Sequence, residues 1–303
     1  MRENSSLKPI YFRKLKNGNY VILSANSEPL VVEEAFAKYI SQNNTVLKDC
    51  DENTISIFKD SGFFTDELSD TFIPVELQGI KWDIFRYGIF ALGIISLIVI
   101  FITMTFVGIP FGNRIISINV SLWKSIMFLI IFSILTTIIH EMMHMLYART
   151  WNKRDGRINI ILKESVATVT MTHIWVWSFL GRLSAVSAGV ISDLFILSIC
   201  SILRLYFDNW IMAAASSILF LRILWQFRFH KKSDGRLIVM ILLDNPTIRM
   251  DNEKDSDFFD RKDILVWKIC NVVGIGVDIL VFIFWIIPLV FSICSNIFAT
   301  YFI

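Results

Sequence analysis

The chain has 303 residues, 54% of them hydrophobic and 18% charged, with a mean hydropathy of +0.58. Soluble globular domains carry about 25% charged residues, so this composition excludes an ordinary soluble enzyme. The formal net charge is only +2; Lys and Arg flank apolar runs rather than forming one patch, so nothing supports nucleic-acid binding.

Residues 1 to about 80 are mixed polar and apolar, and the first residues lack the apolar core of a cleaved signal peptide. They are expected to form a small cytoplasmic domain. Ile10-Tyr11-Phe12 and Tyr20-Val21-Ile22-Leu23 flank Asn17-Gly18, a dipeptide suited to the positive φ angles of a hairpin turn. Glu33 to Ser41 reads as a helix with Phe36, Tyr39 and Ile40 on one face, and a second helix runs from about Asp51 to a stop at Gly62. Strands followed by two short helices predict a winged-helix-like α+β module.

From residue 81 the chain predicts an α-helical polytopic membrane domain with about five transmembrane helices, at 83–108, 122–148, 183–206, 210–229 and 264–290. Lys and Arg are abundant before residue 86, between Arg149 and Arg182, and between Arg228 and Lys268; none follows Lys268. The positive-inside rule then puts the N-terminus in the cytoplasm and the C-terminus outside a cell membrane, which an odd span count allows. Ile158 to Leu162 and Val166 to Met171 read as the strands of a membrane-associated β-hairpin, next to the interface-seeking Trp175 and Trp177. Cys50, Cys200, Cys270 and Cys294 form no CxxC pair and no disulfide framework.

The chemistry concentrates at His140-Glu141-Met142-Met143-His144, near the end of the second span. Residues i and i+4 lie about 40° apart around a helix axis, so both imidazoles can reach one zinc ion while Glu141 stands beside the water such a site activates. Chance can produce this short pattern. Its placement in an apolar helix, where ionisable side chains are costly, favours a functional site.

A hydrolytic zinc takes three protein ligands, so a third must come from elsewhere. Asp234, in Lys232-Ser233-Asp234-Gly235-Arg236, lies where the fourth span returns to the side on which His140 and His144 emerge. Asp193, inside the third span, could be a ligand, could orient one, or could cap a neighbouring helix. His173 sits by the Trp pair as an interfacial histidine, and Glu253 belongs to an acidic run that reads most simply as a solvated loop. Asp234 best combines ligand chemistry with depth and side.

The intramembrane H-E-x-x-H and the later Asp234-Gly235 resemble the site-2 protease superfamily of intramembrane zinc metalloproteases, in particular the bacterial branch of peptide zinc metalloproteases found with systems making modified ribosomal peptides. Supporting matches run through Ala148-Arg149, Trp175, Arg182, Ala188-Gly189, Asp193 and Asn245-Pro246, about half of the chain. One departure stands out: where the family places Asn and Pro ahead of the D-G pair, this chain has Gln226-Phe227-Arg228-Phe229. The resemblance implies hydrolysis of a peptide bond in a membrane-inserted or small precursor peptide near the cytoplasmic face. Zinc would be held by His140, His144 and Asp234, with Glu141 as general base. Residues 1–80 resemble, more weakly, winged-helix domains that bind a leader peptide as an added strand; a ligand-free cytoplasmic cap is the alternative. Two other functions stay open: a non-proteolytic export or immunity component with a structural or degenerate metal site, and a helix-anchored zinc protease using Glu253 at a cytoplasmic active site.

Overall fold

The computed structural model describes residues 6–42, 50–65, 73–151, 158–161, 166–169, 171–207, 209–248 and 261–302. The N-terminal part begins with β1 (Ser6–Leu7), β2 (Tyr11–Lys14), β3 (Tyr20–Leu23) and β4 (Leu30–Val32). β2, β3 and β4 form an antiparallel sheet with Phe12 opposite Ile22 and Val21 opposite Val31. The predicted hairpin closes through Leu15–Asn19, where Gly18 alone takes a positive φ, +89°. Helices α1 (Glu34–Gln42) and α2 (Glu52–Asp60) follow, the second capped by the Asp51 carboxylate on the Thr54 N–H. Strand β5 (Phe64–Thr65) returns to pair with β1. Ile22, Ile40, Phe58 and Phe63 make the core of this unit.

The membrane part is helical. α3 (Ile80–Val107), α4 (Leu122–Ala148), α5 (Phe179–Tyr206) and a helix running on from Arg261 to Ala299 are each long and apolar enough to cross a membrane, whereas α6 (Trp210–Gln226) has only 17 residues. The outer faces of α3 and α4 expose Ile, Leu and Phe, as a lipid-facing helix requires. α5 is the most enclosed, in contact with α3, α4 and α6. Its buried Gly181, Ser184, Ala185, Ser187, Ala188, Gly189 and Ser192 are small enough to let neighbouring backbones approach closely. Between α4 and α5, β6 (Ile158–Ile161) and β7 (Val166–Val169) form the predicted antiparallel hairpin, with β7 alongside α4. The predicted strand end at Leu162 lies outside the described residues.

The short α6 is explained by a break. After Gln226 the chain turns through residues 227–233 and restarts as α7 (Asp234–Leu243). Proline is not needed for this. Ser233 caps the new helix at the Arg236 N–H (3.2 Å) and donates to the Gln226 carbonyl (3.1 Å), while the Gln226 amide oxygen accepts the Asp234 N–H (3.0 Å). Gln226 thus holds the break through both its side chain and its backbone carbonyl. Arg228 and His230 tie the turn to Asp278, with His230 Nε2 3.0 Å from that carboxylate.

α8 (Arg261–Val281) passes through a π-helical turn at Phe282–Ile286 into α9 (Ile287–Phe302). Pro288 has no N–H and its ring would meet the carbonyl one turn back, which the widened turn accommodates. The N-terminal unit packs against the membrane helices: Leu15 and Val21 share one buried cluster with Ile89, Tyr147, Trp175 and Trp177. The connecting segment is fastened too, with Glu76 accepting the Ser178 N–H at the start of α5 (2.6 Å) and pairing with Arg86 (3.1 Å).

A side chain at Gly235 would run into the Gln226 carbonyl, which cannot swing away as a flexible side chain could. Gly235→Ala is expected to lower stability by about 1–3 kcal/mol, as overpacking of a close contact does. Gly276→Ala, with nothing within 4 Å of the new methyl group, serves as a neutral control. Thermal unfolding of the two detergent-solubilised variants checks this.

Candidate metal centre

His140 and His144 stand one turn apart on α4, both buried, and α5 crosses directly in front of them. Each ring is fixed by its Nδ1. His140 Nδ1 donates to the Asp193 carboxylate (2.8 Å), and His144 Nδ1 donates to the Ala185 carbonyl (2.9 Å). In neutral rings these two bonds fix the tautomer and leave both Nε2 atoms as acceptors. Asp234, the first residue of α7, brings its Oδ2 to 3.0 Å from His140 Nε2 and 3.3 Å from His144 Nε2, and the two nitrogens are 3.1 Å apart.

That triangle has the dimensions of a metal site. Three lone-pair atoms this close repel one another unless a proton or a cation lies among them. A tetrahedral zinc with bonds of about 2.05 Å has ligand–ligand edges of about 3.3 Å, so the donors fit three of its corners. His140, His144 and Asp234 form the candidate metal cluster among the described residues. Gly189 is what allows the approach: a Cβ there would lie 2.6 Å from His140 Nε2 and closer still to His144 Nε2.

Charge points the same way. Asp193, Asp234 and Glu141 gather around the site, with Arg222 of α6 as their cationic neighbour. With neutral imidazoles, three carboxylates against one guanidinium leave two surplus negative charges, which one divalent cation balances. Arg222 lies 3.3 Å from Asp193 Oδ2 and donates to the hydroxyls of Thr136 (2.6 Å) and Thr137 (3.3 Å). Asp193, at 0% exposure, would otherwise be a buried carboxylate with only an imidazole for company. Glu141 is buried beside the triangle, and among the described residues no hydrogen bond or ion pair engages its carboxylate.

Of the residues considered from sequence, the structure brings His140, His144, Asp234, Asp193 and Glu141 together. Asp193 orients His140. His173 stands apart: its Nε2 donates to the carbonyl of Ala148, the last residue of α4 (2.7 Å), and so caps that helix. Glu253 lies outside the described residues. Asp234 belongs to the break inside the fourth apolar segment rather than to its end, since α7 carries the chain on for ten more residues. Arg222 and Ala185 also belong to the site and are not among the residues that the sequence pattern singles out. A lone Arg in an apolar helix was the available signal for the first; a backbone carbonyl gives none.

Comparison with protein-family models, with curated proteins and with solved structures finds no match.

Metal content per folded molecule tests the centre. Asp234→Ala is expected to abolish tight binding of a divalent cation, whereas His173→Ala leaves it near the parent value. Asp193→Ala should weaken binding about 10- to 100-fold, the usual effect of losing the group that orients a ligating histidine.

Proposed function

We propose that this chain is an intramembrane zinc metalloprotease of the site-2 type, residing in the cell membrane and hydrolysing a peptide bond of a membrane-inserted or small precursor peptide near the cytoplasmic face. The observation that carries the reading is the His140–His144–Asp234 triangle with an unengaged Glu141 beside it. A structural metal site would fill its fourth position with protein and would have no use for that carboxylate.

His140, His144 and Asp234 would hold the zinc, which when bound would supply a Lewis acid and lower the pKa of water toward neutrality. Glu141 takes the proton of the attacking water and delivers it to the leaving amine, acting as general base and then general acid. Asp193, backed by Arg222, keeps the His140 ring in register throughout. A transmembrane helix has all its peptide groups paired, so a substrate segment must be unwound before attack. Strand β7 lies alongside α4, the helix that carries the histidines, and offers an edge to which an extended segment can add.

In this reading α6, the break and α7 together make the fourth of five crossings, with a cytoplasmic N-terminus and an external C-terminus. The N-terminal unit is a winged-helix-like domain that recognises a leader peptide. In its favour, β4 has no strand on its outer side among the described residues, and such an edge accepts an extended peptide.

Glu141→Gln is expected to retain zinc and to lose about 10²- to 10⁴-fold or more in cleavage of a reconstituted precursor. Near-normal turnover by the zinc-loaded variant would overturn the assignment. For the topology, reporter fusions at Asp70 and after Ile303 should report opposite sides of the membrane; agreement between them would exclude five crossings.

A further inference from the structure

α7 is a ten-residue helix, about 15 Å long, with a functional group at each end. Asp234 at its start faces the two histidines. Asp244, just past its last residue, adopts a left-handed conformation with φ 56° and closes the helix with its N–H toward Ile241 and Met240. The Asp244 side chain is buried and fully engaged. Its Oδ1 accepts from Arg182 of α5 (2.7 Å) and from Arg13 of β2 (2.8 Å), and its Oδ2 accepts the Lys16 N–H (3.1 Å).

Two of these three donors come from one N-terminal hairpin, more than 200 residues away in sequence. That hairpin adds two more bonds: Lys16 Nζ donates to the Leu242 carbonyl at the end of α7 (2.9 Å), and Arg13 Nε donates to the Trp175 carbonyl (2.6 Å). Leu15, between them, packs in the same cluster as Met240 and Ile241 on α7. Burial, then the neighbouring Arg182, lowers the Arg13 pKa from its ordinary value, while Asp244 pulls it back up. The two guanidiniums therefore tolerate each other only because Asp244 lies between them.

At its other end α7 starts from a break, joined to α6 by the Gln226 and Ser233 hydrogen bonds and not by a continuous helix, so its far end is free of α6. Its position depends on what grips it. We propose that Arg13 and Asp244 are positioning residues for the Asp234 carboxylate, so that the N-terminal domain acts on the metal centre through α7. This rests on reading His140, His144 and Asp234 as a divalent-metal site. Anything that lifts the hairpin off Asp244 would draw the third donor away from the histidines, linking the state of the N-terminal domain to the assembly of the site.

The test uses the full-length protein in lipid nanodiscs, as parent, Arg13→Ala and Arg13→Lys, each confirmed as monodisperse. Hydrogen exchange of the metal-free forms is followed separately over 227–237 and 238–248, and zinc affinity is measured by chelator competition. Arg13→Ala should speed exchange in both segments, with 122–148 unchanged, and weaken zinc binding about tenfold, no more than loss of a group bonded directly to a ligand would. Arg13→Lys, which keeps the charge, should recover part of both effects. Faster exchange confined to 238–248, or unchanged exchange throughout, would overturn the proposal. So would parent-like zinc affinity in Arg13→Ala. A parent that binds no zinc would sink the metal reading, and the exchange at 227–237 would still decide whether the hairpin positions Asp234.

Discussion

Two imidazoles one helical turn apart on α4 must face the same point, and the surrounding helices meet that requirement from three directions. α5 supplies the Asp193 carboxylate and the Ala185 carbonyl that lock the two rings, and at Gly189 it gives up a side chain so that its backbone can lie against them. α7 supplies the Asp234 oxygen. α6 supplies Arg222, whose guanidinium lies 3.3 Å from the Asp193 carboxylate among apolar side chains. The stretch of small residues along α5 follows from this, because a bulkier helix would stand too far from α4 for a carbonyl and a carboxylate to reach the rings.

The same requirement explains the broken fourth segment. A continuous helix from residue 210 to 243 would present one residue per turn to the histidines, with its N–H and carbonyl groups all spent internally. Breaking it at 227–233 turns the start of a new helix toward the site, where a carboxylate sits naturally in the first turn. The break costs backbone hydrogen bonds, and in an apolar setting these must be replaced. Gln226 and Ser233 replace them locally, and Asp278 on α8 holds Arg228 and His230 of the turn.

Much of this was legible in the residues. The apolar runs, the hairpin around Asn17-Gly18, Asp51 as a helix start and the strands near 158 and 166 all follow from local pattern; most observed limits differ by a few residues, while the last helix runs on well past the expected end at 290. The spacing of His140 and His144 carried the metal hypothesis, and Asp234 stood out because it pairs a ligand with a glycine that tolerates close contact. What could not be read depended on tertiary partners. The break was read with Pro as its expected marker, whereas a glutamine side chain and a serine cap produce it. Asp193 was ambiguous until its distance to His140 was known. Asp244 drew no notice beside Asn245-Pro246, because its partners Arg13 and Lys16 are remote in sequence.

A site that hydrolyses peptides within an apolar helix bundle must be polar enough to admit water and enclosed enough to keep its charges coupled. Under the proposed function the charges here serve both needs. Asp193 and Arg222 face each other away from the donor triangle and spend their polarity on the protein, so they hold geometry. Glu141 has no such partner among the described residues, so its carboxylate keeps its hydrogen-bonding capacity for whatever enters beside the histidines. A metal site kept only for stability gains nothing from a buried carboxylate left in that state, since burying an unpaired charge costs several kcal/mol. That cost favours the proposed role of Glu141 in proton transfer over a purely architectural one.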